Sequence, residues 1–198
     1  MSNKYSSRSV TRTGLVDFEK TLVDPAQKEL YTNLVLPNII RDPLSHVLNR
    51  RVFFENFINE YQRSIGGYYK DGFAFALVAI REYQIINELP TRTINEVLST
   101  TGKLLKRSFR SKDIIGHYAD DSFAIVLTEI TLEVSLERMK DFVFAFSQKE
   151  MSGYYFSVYS GIAYSDCKNF SNPFEIIERA EEKMDKARRR GFVLGPLY

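Results

Sequence analysis

The sequence predicts an α/β fold in which a mixed β-sheet is flanked by helices, and three patterns support this prediction. The run 73–80 (FAFALVAI) is apolar throughout, which is typical of a strand that is buried on both faces. Two further apolar runs, 113–118 and 123–127, are joined by polar residues and therefore indicate the arms of a β-hairpin. Segments with apolar residues at helical spacing alternate with these strands, as in α/β sandwiches.

The first two helices are predicted from capping residues and apolar spacing. Asp42 can cap free backbone N–H groups and Pro43 suits a first turn, so we expect a helix that begins there and ends near Gly66. After the strand 73–80, apolar residues at i, i+3, i+4 and i+7 predict a second helix over 94–105. This second helix leads into the hairpin.

The remainder of the chain predicts a helix, a strand and a final helix. One face of segment 132–148 is apolar, which indicates a third helix. Segment 154–164 is rich in aromatic and β-branched residues and predicts one continuous strand. Asn172 followed by Pro173 provides a cap and a first turn for the last helix.

Length and composition limit the class of protein. A chain of 198 residues fits one domain with a short leading segment, and we expect a flexible, partly helical segment over 1–41 and the domain over 42–198. The 27 Lys and Arg against 25 Asp and Glu leave a net charge of +2, which does not indicate a nucleic-acid or membrane partner. No apolar run approaches the roughly 18 residues of a membrane-spanning helix. The lone Cys167 fits a reducing compartment, so we expect a cytoplasmic protein.

Adjacent carboxylates lie at the predicted hairpin tip, in segment 119–123 (ADDSF). A metal-dependent phosphoryl-transfer enzyme would display its ligands at such a tip. A second charged pair consists of Arg110, just before the first arm, and Asp113, the first residue of that arm. An arginine fork can bind phosphate or a guanine edge, and an aspartate can accept from guanine N–H groups. The same i, i+3 spacing also fits a solvated ion pair.

Five segments lie in an order and at a spacing that resemble one known family. They are 42–51 (DPLSHVLNRR), 79–87 (AIREYQIIN), 119–123 (ADDSF), 156–163 (FSVYSGIA) and 178–192 (ERAEEKMDKARRRGF). Together they resemble the GGDEF family, the diguanylate cyclases, and the resemblance extends over most of the chain. It implies a palm-like α/β domain similar to that of nucleotide cyclases.

The resemblance also implies that the family's catalytic residues are replaced here. In the family, two carboxylates hold Mg²⁺, which bridges the triphosphate of GTP. Ala79 and Asp121 take those two positions, and Ser122 takes that of the residue that activates the attacking hydroxyl. Alanine offers no oxygen, and serine is a poor base at pH 7. We therefore expect Mg²⁺ binding and catalysis to be lost, with Asp121 and Ser122 as vestiges and no cofactor.

The nucleotide-contacting positions of the family are only partly kept. By resemblance, Asn87 and Asn95 take positions that contact guanine. Arg188 takes one of two phosphate-binding positions, and Phe192 takes the other. We therefore expect GTP to bind weakly or not at all.

The pair Arg110 and Asp113 matches the family's product-binding RxxD motif in residue type and in register with the signature hairpin. By resemblance this motif binds cyclic di-GMP. Arg138 resembles the secondary arginine that completes the site from a second subunit in some family members. An ordinary surface arginine is the alternative interpretation of Arg138.

These features favour a catalytically inactive GGDEF-type protein of bacterial second-messenger signalling, acting as a cyclic di-GMP receptor. Such a receptor would pass the signal to a protein partner, and the ligand would favour a homodimer. One alternative is a nucleotide-independent protein-interaction scaffold. A third, less favoured, is a residual diguanylate cyclase that depends on Asp121 and Arg188.

Overall fold

The structure is a computed structural model that describes residues 40–82, 88–166 and 170–190, together with residue 25. The chain divides into two units, Met1–Ile40 and Arg41–Tyr198, and the helices and strands below belong to the second. Three residues singled out in the sequence, Asn87, Cys167 and Phe192, lie outside the described residues, as does nearly all of the predicted leading segment.

The second unit alternates helices and strands, and its sheet is flanked by helices as predicted. In chain order the elements are α1 (Arg50–Ile65), β1 (Phe73–Ile80), α2 (Thr91–Ser108), β2 (Ile114–Ala119), β3 (Ser122–Leu127), α3 (Leu132–Ser147), β4 (Glu150–Met151), β5 (Tyr154–Tyr155), β6 (Val158–Ser165) and α4 (Pro173–Arg190). None of the helices within the described part of the chain has the length and apolar character needed to span a membrane.

A four-stranded sheet with the order β2-β3-β1-β6 forms the centre of this unit. The three strand pairs are antiparallel, and a parallel bridge between Leu48 and Gly116 extends the sheet beyond β2. Every residue of β1 is buried, because β1 has a strand on each side and helices on both faces. The prediction of a fully buried strand over 73–80 is confirmed.

The helices form one layer on each face of the sheet. Residues of α2 and α3 pack against the even-numbered residues of β1, from Ala74 to Ile80. Residues of α1 and α4 pack against the odd-numbered residues, from Phe73 to Ala79. Successive side chains of a strand point to opposite faces, so one apolar run supplies both cores of the predicted sandwich.

The first helix begins at Arg50, and the predicted start at Asp42 is wrong. The Asn49 side chain accepts a hydrogen bond from the backbone N–H of Val52 at 3.0 Å and is the true cap. Asp42 instead closes a turn, because its Oδ1 accepts from the N–H of Ser45 at 2.7 Å. Aspartate makes the same side-chain-to-backbone bonds in turns as in helix caps, so composition alone did not separate the two.

The predicted strand 154–164 is two strands, which corrects the sequence interpretation. Tyr154–Tyr155 pairs with Glu150–Met151 in a small separate hairpin, and the central sheet receives only Val158–Ser165. Positive φ values of 51° at Ser152 and 82° at Gly153 suit a tight two-residue hairpin turn.

The last helix begins where the sequence predicted. Asn172 Oδ1 accepts from the backbone N–H groups of Phe174 and Glu175, at 2.9 and 3.2 Å. Pro173 is the first residue of α4, a position at which a missing N–H carries no cost. The prediction of a cap followed by a proline in the first turn is confirmed.

Candidate functional site

The tip of the β2–β3 hairpin is tied to its surroundings by Asp121. Its backbone carbonyl accepts from the N–H of Ile80 at 3.0 Å, which joins the tip to the end of β1. Its carboxylate oxygen Oδ2 lies 3.5 Å from Arg188 Nη2 on α4. The structure therefore brings Asp121 and Arg188 together, and they form an ion pair with each other.

Ala79 and Ser122 are direct neighbours across the β1–β3 pair. Ala79 has no exposed surface, and Ser122 is 3% exposed. Magnesium requires hard oxygen ligands, and of the two ligand positions that the resemblance implies, Ala79 supplies no oxygen and Asp121 is already paired with Arg188. The donor set does not fit Mg²⁺. Within the described part of the chain no three His, Cys, Asp or Glu side chains are grouped as metal ligands would be.

Two side chains on β2 anchor the hairpin to its neighbours. Tyr118 Oη donates to Glu181 Oε1 on α4 at 2.6 Å. Burial, followed by this hydrogen bond, raises the pKa of Tyr118 above its usual value. His117 Nδ1 lies 3.0 Å from Asp42 Oδ2, and the His117 ring stacks on that of Phe123. These contacts connect the hairpin to α4 and to the turn at Asp42.

Asp42 receives several hydrogen bonds in that turn. Burial favours its neutral form, but hydrogen bonds from the Ser45 hydroxyl and N–H and from His117 outweigh burial and lower the pKa of Asp42. The turn also contains His46 at a φ of 58°, a left-handed conformation that favours glycine.

The segment from Arg110 to Asp113 forms a closed turn. The Asp113 N–H donates to the Arg110 carbonyl at 3.0 Å, and the Arg110 N–H donates to Asp113 Oδ2 at 2.8 Å. Asp113 Oδ1 also accepts from the N–H of Thr128 at 3.3 Å. The Asp113 side chain has no exposed surface, so its carboxylate fixes the backbone that carries Arg110.

Arg138 on α3 joins this turn from the same chain. Its Nη1 lies 3.6 Å from Asp113 Oδ2, and its side chain is 21% exposed. The Arg110 side chain is exposed and forms no ion pair with any residue that the structure describes. The alternative of a solvated ion pair between Arg110 and Asp113 is therefore wrong, because the buried carboxylate contacts Arg138. The structure brings the three predicted residues together.

An open cavity of about 350 Å³ lies beside Arg110. Its lining includes four cationic residues, Arg41, Lys106, Arg110 and Lys112. Lys112 Nζ is paired with Glu129 Oε2 at 2.5 Å. Sequence reasoning missed Arg41 and Lys106. A local signal for Lys106 is its place in the last turn of α2, just before Arg110, which follows the end of the helix.

The remaining predicted position, Asn95, lies on the exposed surface of α2. No hydrogen bond joins it to Asp121 or Arg188 among the described residues. The assignment of Asn95 to a guanine-contacting position stays a prediction.

Comparisons with known proteins identify the domain. The family model for the diguanylate cyclase GGDEF domain matches residues 39–193. Among curated proteins, none matches the chain significantly.

Several solved structures are similar in fold. The GGDEF domain of FimX from Pseudomonas aeruginosa is 18% identical, with a TM-score of 0.71, over 78% of this chain and 97% of that one. The coiled coil and GGDEF domain of DgcB from Caulobacter crescentus, solved with cyclic di-GMP, is 15% identical, with a TM-score of 0.75, over 85% and 91%.

A third similar structure is a diguanylate cyclase in complex with a protein. SiaD from Pseudomonas aeruginosa, solved with its activator SiaC, is 22% identical, with a TM-score of 0.67, over 84% of this chain and 65% of that one. Identities at this level show only a shared fold. The family membership rests on the family model, which spans the whole sheet and the helices on both faces. The chain belongs to the GGDEF domain family.

Proposed function

We propose that this chain is a catalytically inactive GGDEF-domain protein that binds cyclic di-GMP and passes the signal to a protein partner. The observation that carries the proposal is that Arg110 combines an exposed side chain with a fixed backbone. Its guanidinium is exposed beside an open cavity, while its backbone is fixed by the buried Asp113 carboxylate.

Ligand chemistry matches this arrangement. Cyclic di-GMP carries two phosphodiesters and two guanines, and a guanidinium can donate two parallel hydrogen bonds to either group. Asp113 is covered in the free protein, so its first role is to position Arg110 and Arg138. The solved complex of DgcB with cyclic di-GMP supports the choice of ligand within the family.

Loss of cyclase activity follows from the hairpin tip. A diguanylate cyclase needs metal-bound triphosphate and a base for the attacking hydroxyl. Ala79 supplies no ligand, Asp121 is paired with Arg188, and Ser122 is a buried hydroxyl. A residual cyclase would have to work with one carboxylate and no base.

A protein partner is proposed as the output. The solved complex of SiaD with its activator SiaC is a precedent for a protein partner on this fold. A cyclic di-GMP-favoured homodimer is a second output that the same site supports.

The decisive experiment is a calorimetric titration with cyclic di-GMP. We expect the wild type to bind and Arg110→Ala to bind at least roughly tenfold more weakly, because a charge-assisted hydrogen bond contributes about 1.5–3 kcal/mol. Arg107→Ala is the matched control, since Arg107 is an exposed arginine at the end of α2. A wild type that does not bind would contradict the proposal and favour the nucleotide-independent scaffold.

A further inference from the structure

Two cations in the Arg110 cavity converge on a single backbone oxygen. Arg41 Nη1 donates to the His46 carbonyl at 3.0 Å, and Lys106 Nζ donates to the same oxygen at 2.5 Å. A guanidinium has five N–H donors and an ammonium has three. Each side chain therefore keeps donors that this carbonyl does not use.

The positive charge of this pair is not neutralised within the described part of the chain. Neither Arg41 nor Lys106 forms an ion pair there, in contrast to Lys112, which is paired with Glu129. The pKa of Lys106 is lowered, first by burial and then by the charge of Arg41. The second cause is electrostatic repulsion between the two cations. An anion placed between them would relieve this repulsion.

The pair lies in the same cavity as Arg110. Lys106 is in the last turn of α2, and Arg110 follows just after the helix ends. Leu48, Ile114 and Ile115 add apolar surface to the lining, which suits the face of a nucleobase. The volume of about 350 Å³ is near the lower end for small-molecule sites, about 300–1,000 Å³, so a large ligand would be held partly outside.

We infer that Arg41 and Lys106 form a second phosphate subsite, which takes the second phosphodiester of a cyclic dinucleotide whose first phosphodiester is bound by Arg110. The inference rests on the proposed function, because it assigns further residues to the same ligand. It requires each chain to contact both phosphates of one ligand molecule.

A structural role is the competing explanation. Both cations bond to the carbonyl of His46, whose φ of 58° is an unfavourable conformation for a residue with a side chain. If Arg41 and Lys106 act only to hold this turn, their loss would lower the affinity for ligands with one and with two phosphodiesters equally. A test must therefore compare ligands that carry one and two phosphodiesters.

The test is calorimetry on the full chain with Lys106→Gln and Arg41→Gln, using cyclic di-GMP and cyclic GMP, which has one phosphodiester. We expect each variant to bind cyclic di-GMP about tenfold more weakly, by loss of a charge-assisted contact, and to bind cyclic GMP as the wild type does. Arg110→Ala should weaken both ligands. The control is Lys103→Gln, at an exposed lysine one turn earlier on α2. Lys106→Arg, which keeps the positive charge, should bind cyclic di-GMP as the wild type does.

The outcomes separate the subsite from the proposed function. Unchanged cyclic di-GMP affinity in both glutamine variants, with Arg110→Ala still weakened, would overturn the subsite alone. Equal losses for both ligands would also overturn it and indicate the structural role. A wild type that does not bind cyclic di-GMP would overturn the proposed function, and the subsite with it.

Discussion

Arg188 Nη2 lies 3.5 Å from Asp121 Oδ2, so the carboxylate that takes a metal position by resemblance to the family faces a cation of its own chain. The side chains of the pair are 40% and 27% exposed, and solvent-exposed pairs of this kind contribute about 0–1 kcal/mol. The contact is therefore weak as a stabilising interaction. Its consequence is chemical, because by resemblance to the family it joins a metal-binding position to a phosphate-binding position.

The first prediction is that the protein does not make cyclic di-GMP. Incubation with GTP and Mg²⁺ or Mn²⁺ should give no product above background, because Ala79 and Ser122 provide neither ligand nor base. Asp121→Ala should give the same background in a chromatographic assay. Product that appears with the wild type and disappears with Asp121→Ala would show a working metal site and contradict the receptor proposal.

The second prediction separates folding from binding at the RxxD motif. Asp113→Ala should lower the free energy of unfolding by roughly 2–4 kcal/mol, because it leaves two backbone N–H groups and Arg138 without their buried acceptor. Arg110→Ala should change stability by no more than about 0.5 kcal/mol, since its side chain is exposed. Urea denaturation measures both. Equal stability of Asp113→Ala and wild type would refute the positioning role of Asp113.

A third prediction concerns the contact between α2 and the Asp42 turn. A Cβ at Gly102 would lie 2.0 Å from the Ser45 carbonyl oxygen. Alanine is the better helix former by about 1 kcal/mol, but the overlap should outweigh this, and we expect Gly102→Ala to destabilise by about 1–3 kcal/mol. Lys103→Ala, exposed on the same helix, is the control. A melting temperature for Gly102→Ala at or above that of wild type would show that the turn can move away.

The fourth prediction is a dependence of stability on pH through Asp42. Its pKa is lowered in the folded state, so its carboxylate stabilises the fold above the unfolded pKa of about 3.9 and loses that effect as pH falls through the lower folded value. The free energy of unfolding of Asp42→Asn should therefore fall less steeply on acidification than that of wild type. Exposed carboxylates with lowered pKa values, such as Glu96, are common to both proteins. If the free energy of unfolding changes with pH in the same way for Asp42→Asn and wild type, the effect does not come from Asp42.

The fifth prediction is that cyclic di-GMP favours a dimer. A ligand held partly outside the cavity leaves one face for a second copy, and Arg138 is 21% exposed. Light scattering should show a larger mass with ligand than without it, and Arg138→Ala should reduce the increase. A monomer under both conditions, with binding confirmed, would leave partner recruitment as the output.

Local sequence patterns predicted β1, β2 and β3 well, because the signals for these strands are local, but they merged β5 and β6 into one strand. The apolar run 73–80 is β1 without change, and the hairpin arms end within a residue of their predicted bounds. A strand that is buried on both faces needs a continuous apolar sequence, whichever helices pack against it. The choice between Asp42 and Asn49 as helix cap failed because both residues make the same local hydrogen bonds.

The candidate site depends on contacts between distant parts of the chain, which no local pattern contains. The motif at Arg110 and Asp113 was recognised, but the burial of Asp113 results from Thr128 and Arg138 on other elements. The approach of Lys106 to Arg41 is fixed by the carbonyl of His46, far from Lys106 in sequence. Residue types therefore predicted the motif, and only the fold shows which of its atoms are free.

The bridge from Leu48 to β2 has a consequence for assembly. The Leu48 N–H donates to the Ile115 carbonyl, and its own carbonyl accepts from the His117 N–H, so the outer edge of the sheet is capped by main chain at these residues. An open edge strand can pair with a strand of another chain and lead to aggregation. Because Leu48 already occupies these backbone groups of β2, a second copy that approaches the Arg110 cavity cannot form β-sheet hydrogen bonds with them. Two copies that associate there would depend on side chains and ligand, so we expect a ligand-favoured dimer to dissociate when the nucleotide is removed.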